Sequence, residues 1–188
     1  EETRKPSFFE KMFADDPGIL HAAFIHDKNS NESGWTYGHE LGRQHVEKVF
    51  NGKIKTEVYE YAMDAPEDII ELAIMEGNKV IFTTSPKLLQ ASLSAAVKYP
   101  DRLILNCSLN KPHRYIRTYY ARMYEAKFII GAIAGTLADN DRVGYLCDYP
   151  IYGQIAGINA FARGVQMVSP RAKGYLEWAC VDGVHNAL

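Results

Sequence analysis

Strand patterns and helix patterns alternate along this sequence from about residue 20 to its end, and this alternation restricts the possible folds more than any other feature. The predicted strands cover residues 20–26, 54–61, 80–83, 103–106, 116–121, 142–148 and 173–179. The predicted helices cover residues 34–50, 64–75, 86–98, 124–138 and 151–168. Such a chain folds as an α/β protein with a mostly parallel sheet, helices on both faces and right-handed crossovers. We expect the first strand to be central, between the second and the third.

Charge and hydropathy argue against two broad classes of partner. The formal net charge of the 188 residues is −2, so no basic field attracts nucleic-acid phosphates or an anionic membrane surface. The longest apolar run, near residues 128–137, is interrupted by two glycines. It is shorter than the roughly 20 residues that a membrane-spanning helix needs.

Cysteine usage and motif content predict neither a metal site nor a cofactor. Cys107, Cys147 and Cys180 have no CxxC spacing, and Cys147 lies in an apolar strand pattern typical of a buried free thiol. The sequence contains no GxxxxGK[ST], GxSxG or GxGxxG motif. His39 and His45 flank Glu40, but on a helix six residues correspond to a rotation of about 240°, so the two imidazoles do not share a face. We therefore expect no catalytic residue, no metal and no cofactor.

Two pairs of glycines have the spacing that lets a helix approach a neighbour closely. They are Gly131 with Gly135 and Gly153 with Gly157. In an α/β protein this spacing predicts close packing of a helix against a strand rather than association of membrane helices.

A polar loop after the first strand is the strongest candidate for a binding site. It contains Asp27, Asn31 and Glu32, and Trp35 follows at the start of the next helix. In open α/β sheets ligands bind outside the carboxyl ends of the strands. Carboxylates and amides suit sugar hydroxyls, and an indole suits a planar base. The alternative is a polar turn in which Trp35 packs into the core.

Hydroxyl groups at the end of the third strand form a second candidate. Thr84 and Ser85 lie between this strand and the next helix, where hydroxyls and free backbone N–H groups can bind ligand oxygens. Capping of the helix by Ser85 is the simpler interpretation, and it is compatible with binding. We expect any ligand to lie between the 27–35 loop and Thr84–Ser85.

Four ordered segments resemble the basic membrane lipoprotein family. They are residues 33–43 (SGWTYGHELGR), 80–85 (VIFTTS), 119–135 and 157–164, and the resemblance extends over about residues 20–180. Members of that family are substrate-binding proteins of ABC transporters, and the purine nucleoside receptors of some bacteria belong to it.

The resemblance implies a type I periplasmic-binding-protein fold with two lobes, a nucleoside between them and an ABC transporter permease as partner. It implies that Trp35 stacks on the base and that an acidic residue, either Asp27 or Glu32, holds the ribose. Asn106 stands where the family often has an acidic residue. The resemblance also implies a cell-surface location, although the chain shows no signal segment or lipid-attachment cysteine near its start, so a cytoplasmic location stays open.

The same resemblance suggests the domain organisation. We expect a tail or linker at residues 1–18, a first lobe at 19–121, and a crossover helix with the start of a second lobe at 122–188. The chain ends just after a strand that still needs a covering helix. We therefore expect the second lobe to be incomplete, and the chain to self-associate or to bind its ligand poorly. The alternative is that the chain is complete and residues 142–179 extend the sheet of the first lobe.

Our leading hypothesis is a solute-binding module, for uptake or sensing, that performs no chemistry. One alternative is a nucleoside-processing enzyme on the same fold, which would need an activated nucleophile or a matched acid–base pair. A second alternative is an interaction module that has lost its ligand.

Overall fold

Five parallel strands form the first sheet of the protein. The computed structural model describes residues 18–109, 114–147, 150, 152–179 and 185–187. The order of the five strands in the sheet is β2-β1-β3-β4-β5. The strands are β1 (Leu20–Ile25), β2 (Ile54–Tyr59), β3 (Val80–Thr83), β4 (Leu103–Cys107) and β5 (Arg117–Tyr119). The predicted position of β1 between β2 and β3 is confirmed, although the middle strand of the five is β3. The tail predicted at residues 1–18 lies, apart from Gly18, outside the described residues, as does Cys180.

Three helices cover both faces of this sheet. They are α1 (Gly34–Val49), α2 (Pro66–Met75) and α3 (Leu89–Lys98), the last preceded by a 3-10 turn at Pro86–Leu88. Alternate residues of β1 point to opposite faces. Ala23 and Ile25 pack with residues of α2 and α3, whereas Leu20 and Ala22 pack on the side of Val46 in α1.

Buried aliphatic side chains account for much of the stability of this unit. Ile25, Ile70, Ile81 and Ile104 are fully buried, and each such side chain contributes about 1.5–3 kcal/mol relative to an exposed one. The helix predicted to start at an Asp64 cap begins instead after Ala65, with no side-chain cap and with Pro66 in its first turn.

The second unit has a smaller sheet. The chain divides into two compact units between Tyr120 and Ala121. In the second unit β6 (Arg142–Cys147) and β7 (Lys173–Trp178) are parallel, and β8 (His185–Ala187) pairs with β7 in the antiparallel direction. We predicted no strand at β8, and its antiparallel pairing with β7 is compatible with the predicted mostly parallel fold.

Two helices of the second unit, α4 (Met123–Leu137) and α5 (Tyr152–Val168), pack closely against each other. A Cβ atom at Gly131 of α4 would lie 2.1 Å from the carbonyl oxygen of Phe161 on α5. Conversely, a Cβ atom at Gly164 of α5 would lie 2.0 Å from the carbonyl oxygen of Phe128 on α4. These glycines therefore allow helix-to-helix contact. Our prediction that Gly131 brings its helix close to a strand is wrong, because the contacting backbone belongs to α5.

Two further features bear on the function classes considered above. No helix within the described part of the chain is long and apolar enough to span a membrane. Cys107 and Cys147 are buried free thiols, so the prediction for Cys147 is confirmed.

Candidate functional site

Thr84 is the residue around which the candidate site is built. It follows β3, and the parallel register pairs Thr83 with Ile25 of β1. The Thr84 N–H donates to the carbonyl oxygen of Ile25 at 3.0 Å. The Thr84 hydroxyl lies 2.8 Å from Nδ1 of His26, and both side chains are fully buried. The end of β3 is therefore joined directly to the start of the 27–35 loop, as the candidate site requires.

Trp35 lies at the start of α1, and its indole is anchored at one edge. Ser33 caps this helix, its Oγ accepting from the Thr36 N–H at 3.3 Å. Nε1 of Trp35 donates to the carbonyl oxygen of Thr84 at 2.6 Å. The side chain is 37% exposed, so Trp35 is not a buried core residue. His39 and Tyr120 lie beside it, with ring centroids at 5.2 and 5.9 Å.

Asp27 and Ser85 meet at the same edge of the sheet. The Ser85 hydroxyl donates to Oδ2 of Asp27 at 3.2 Å, and Nζ of Lys87 lies 3.9 Å from the same oxygen. The Asp27 side chain is 12% exposed. Ser85 also caps the 3-10 turn, since its Oγ accepts from the Lys87 N–H at 3.4 Å. Ser85 therefore caps the turn, as the simpler interpretation predicted, and contacts Asp27 as well.

Asn106 reaches Ser85 from β4. Its Nδ2 donates to the carbonyl oxygen of Ser85 at 3.0 Å and to the Thr83 hydroxyl at 2.9 Å. The Ser85 carbonyl accepts only, which fixes the orientation of the amide. The Asn106 Oδ1 is buried and has no hydrogen-bond partner among the described residues. A buried acceptor of this kind calls for a donor from water or from a ligand.

Asn31 and Glu32 lie apart from this group. Both are exposed, and Oε1 of Glu32 accepts from the Tyr61 hydroxyl at 3.0 Å. That hydrogen bond raises the pKa of Tyr61. Tyr61 follows β2 with a positive φ of 56°, a conformation uncommon for a tyrosine. The structure thus brings Asp27, Trp35, Thr84, Ser85 and Asn106 together. It places Glu32 against Tyr61 in the loop after β2 and leaves Asn31 exposed.

His26, Glu40 and Arg43 belong to the site, and sequence reasoning did not assign them to it. Oε1 of Glu40 lies 3.1 Å from Nε2 of His26. Desolvation alone would raise the pKa of Glu40, but hydrogen bonds from Arg43 and His26 outweigh it and hold that pKa below its ordinary value. In the sequence, Glu40 stands beside His39 and His45, where a metal site is not expected, and within the segment 33–43 that carries the family resemblance. Glu40 and Arg43 are three residues apart on α1 and share a helix face, and that spacing was the signal available.

His39 has a different environment from His26. Its Nδ1 lies 3.0 Å from the carbonyl oxygen of Trp35 in the preceding turn of α1. Burial lowers the pKa of His39 despite that hydrogen bond.

Among the residues that the structure describes, no cluster of three or more His, Cys, Asp or Glu side chains could hold a metal ion.

A cavity of about 280 Å³ lies elsewhere, on the face of the first sheet that carries α1. Its lining residues are Leu20, Ala22, Phe24, Val46, Phe50, Ile54, Thr56, Val80, Phe82, Leu103, Leu105 and Arg117. Ten of these twelve are apolar. A ligand rich in hydroxyl groups would find few hydrogen-bond partners there.

Comparison with known proteins defines the family. The model of the family described as ABC transporter substrate-binding protein PnrA-like (Bmp) matches residues 19–180. The chain belongs to this family. It is 30% identical over 162 residues to a purine-binding protein of Brucella abortus (strain 2308), covering 85% of this chain and 46% of the relative. The resemblance to the basic membrane lipoprotein family, which four segments of the sequence predicted, is thereby confirmed.

A second relative carries a different ligand in its name. It is named as an ABC transporter glucose-binding protein of Haloferax volcanii, and it is 25% identical over 160 residues. The alignment covers 85% of this chain and 41% of that protein. The chain spans less than half the length of both curated relatives.

Solved structures show the same fold. An ABC transporter solute-binding protein from Aeropyrum pernix K1 superposes with a TM-score of 0.70 at 15% identity, over 85% of this chain and 47% of that one. An ABC transporter solute-binding protein from Conexibacter woesei DSM 14684 superposes with a TM-score of 0.63 at 14% identity. That superposition covers 85% of this chain and 54% of the other. The PnrA-like chain therefore has the type I periplasmic-binding-protein fold that we expected.

Proposed function

We propose that this member of the PnrA-like family captures a nucleoside, or a similar small molecule with a planar ring and hydroxyl groups, for an ABC transporter permease. The observation that carries the proposal is the partly exposed indole of Trp35, which is anchored at the carboxyl edge of the sheet. In open α/β sheets that edge is where ligands bind. The chain would act by binding, at the cell surface, and would perform no reaction.

Trp35 and Asp27 have distinct roles in this proposal. The indole stacks on the base, since one edge of the ring is fixed by Thr84 and the side chain remains partly open to solvent. Asp27 accepts hydrogen bonds from the ribose hydroxyls. We favour Asp27 over Glu32 because Asp27 contacts Ser85, next to the Thr84 anchor of the indole, whereas Glu32 is bonded to Tyr61.

The remaining candidate residues support these two. Asn106 offers its unpartnered Oδ1 as an acceptor for a donor group of the ligand. The Ser85 hydroxyl donates to Asp27 and so helps to hold its carboxylate in place. Thr84 is fully buried and acts by holding Trp35. Asn31 and Glu32 are assigned the outer rim, where both are exposed.

A sugar is the second candidate ligand. The relative named as glucose-binding motivates it, and an indole with a nearby carboxylate also suits a pyranose ring. The nucleoside remains the first choice because the relative named as purine-binding has the higher identity, 30%.

Tryptophan fluorescence discriminates between these ligands. The chain has two tryptophans, Trp35 and Trp178, so a Trp178→Phe protein reports on Trp35 alone. We expect adenosine, inosine or guanosine to quench this emission saturably and glucose to leave it unchanged. Saturation with glucose alone would assign the site to a sugar, and no saturation with any of these compounds up to millimolar concentration would contradict the proposal.

Recovery of the ligand tests the enzyme alternative. We expect nucleoside incubated with the protein to be recovered intact by liquid chromatography. Release of a free base or of ribose, proportional to protein concentration and abolished by Asp27→Asn, would show that the site performs chemistry.

A further inference from the structure

Three hydrogen-bonding groups of Thr84 are all engaged within the first unit. Its N–H donates to the carbonyl oxygen of Ile25 at 3.0 Å, and its own carbonyl oxygen accepts from Nε1 of Trp35 at 2.6 Å. Its hydroxyl lies 2.8 Å from Nδ1 of His26. The direction of the carbonyl group that holds the indole is therefore set by two other attachments of the same residue.

His26 connects this residue to α1. Its Nε2 lies 3.1 Å from Oε1 of Glu40, while Nδ1 faces the Thr84 hydroxyl. The connection survives either charge state of the imidazole. A neutral ring with its proton on Nε2 donates to Glu40 and accepts from Thr84. A charged ring donates to both, and the Thr84 hydroxyl then donates to the carbonyl oxygen of Ile25, 3.0 Å away.

Glu40 is itself held in place. Nε of Arg43 lies 3.0 Å from both carboxylate oxygens, and Nη2 lies 3.0 Å from Oε2. Nη1 of the same guanidinium donates to the Thr56 hydroxyl on β2 at 2.6 Å. The Glu40 side chain is only 12% exposed. A carboxylate fixed by a multidentate guanidinium has little freedom to leave His26.

We infer that Glu40, His26 and Thr84 form a positioning relay that sets the plane of the Trp35 indole. Trp35 and Glu40 lie on the same helix, and both are attached to Thr84, one directly and one through His26. Two attachments on one helix fix its rotation as well as its distance from β3, which a single hydrogen bond could not do. His26 is fully buried, so it acts through Thr84 rather than by contact with a ligand. The purpose of the relay rests on the proposed function, whereas its existence does not.

Solution NMR of the ligand-free, 188-residue protein tests the relay itself. The indole 15N–1H resonance of Trp35 reports its hydrogen bond, and that of Trp178 is an internal control. We expect Thr84→Val, which removes the hydroxyl and keeps the shape, to shift the Trp35 resonance and to speed its exchange with solvent. Thr84→Ser restores the hydroxyl and should restore the signal. Thr136→Val, on an exposed turn of α4, is the matched control.

The outcome of this experiment is decisive in both directions. A Trp35 resonance that is unchanged in Thr84→Val would overturn the inference. Should Thr84→Val fail to fold, Glu40→Leu takes its place and Glu40→Gln, which keeps an acceptor oxygen, is the rescue. If the Trp35 indole resonance has the same chemical shift and exchange rate in Glu40→Leu and in Glu40→Gln, the inference is overturned as well.

Ligand affinity in a double-mutant cycle then separates positioning from general structure. We expect Thr84→Val to weaken nucleoside binding about fivefold or more, the lower end of what base stacking contributes. In a Trp35→Ala background the same change should have no further effect, since no indole remains to be positioned. An equal loss in both backgrounds would contradict the relay. If no variant binds a nucleoside, the proposed function fails while the indole resonances still decide the relay.

Discussion

The hydroxyl of Ser85 donates to the Asp27 carboxylate at 3.2 Å, although 58 residues separate the two in sequence. The parallel register of β1 and β3 accounts for this contact. Ile25 of β1 pairs with Thr83 of β3. Two residues further along the chain from each of these, Asp27 and Ser85 are therefore neighbours again. Any polar side chains at these positions meet at the carboxyl edge, and this is where the candidate site lies.

Replacing Asp27 by Asn should weaken nucleoside binding. The change removes a charged acceptor, and hydrogen bonds to charged groups contribute about 1.5–3 kcal/mol, or roughly 10- to 150-fold in affinity. Titration of Trp35 fluorescence in the Trp178→Phe protein measures the effect. Glu32→Gln is the matched comparison. A larger loss for Glu32→Gln than for Asp27→Asn would transfer the ribose role to Glu32.

Replacing Trp35 by Ala should have the largest single effect on a purine-like ligand. Stacking of a base on an aromatic side chain contributes about 1–3 kcal/mol, which corresponds to roughly a five- to 150-fold change in affinity. Isothermal titration calorimetry measures this without an indole reporter. Trp35→Phe should retain part of the affinity, and an affinity unchanged in Trp35→Ala would show that the indole serves the fold alone.

Replacing Gly131 by Ala should destabilise the second unit. The new Cβ would lie 2.1 Å from a backbone oxygen of α5, and overpacking of this kind costs about 1–3 kcal/mol or more. Gly38→Ala on α1 is the matched control, since nothing lies within 4 Å of its Cβ position. It should stabilise by up to about 1 kcal/mol through helix propensity. Urea unfolding measures both, and equal stability of the two variants would refute the close packing.

The contribution of Glu40 to stability should depend on pH. Its pKa is lowered on folding from the ordinary value of 4.5, because hydrogen bonds from Arg43 and His26 outweigh desolvation. A carboxyl whose pKa is depressed in the folded state stabilises above its unfolded pKa, and loses that contribution as the pH falls through the folded value. The difference in unfolding free energy between wild type and Glu40→Gln should therefore be largest above pH 4.5 and shrink at lower pH. A difference constant from pH 7 to pH 3 would contradict this.

The 188-residue chain should self-associate. Ile129, Ile133 and Leu137 form an exposed apolar stripe on α4, with exposed fractions of 60%, 54% and 73%, and exposed apolar patches tend to find partners. Light scattering should give a mass above 21.2 kDa that rises with concentration. Ile133→Lys should lower that mass, while Lys48→Ala on α1 should not. A monodisperse monomer at all concentrations would contradict the prediction.

The alternation of patterns in the sequence was sufficient to predict the five strands of the first sheet and the place of β1 in it. Hydrophobic periodicity follows burial, and a strand that is covered on both faces has little choice of neighbours. Segments without such periodicity were predicted less well. The three residues of β8 carry no period of their own, because their strand character comes from pairing with β7.

The sequence by itself determined the family, the fold class and the loops that supply the candidate site, because periodicity and local motifs are properties of consecutive residues. Only the tertiary structure decided that Trp35 is anchored by Thr84, that His26 bridges to Glu40, and that Asp27 rather than Glu32 meets Ser85. These contacts depend on which strand ends lie side by side and on how α1 is rotated. Side-chain hydrogen bonds between distant segments leave no period in the sequence, so the packed fold is needed to reveal them.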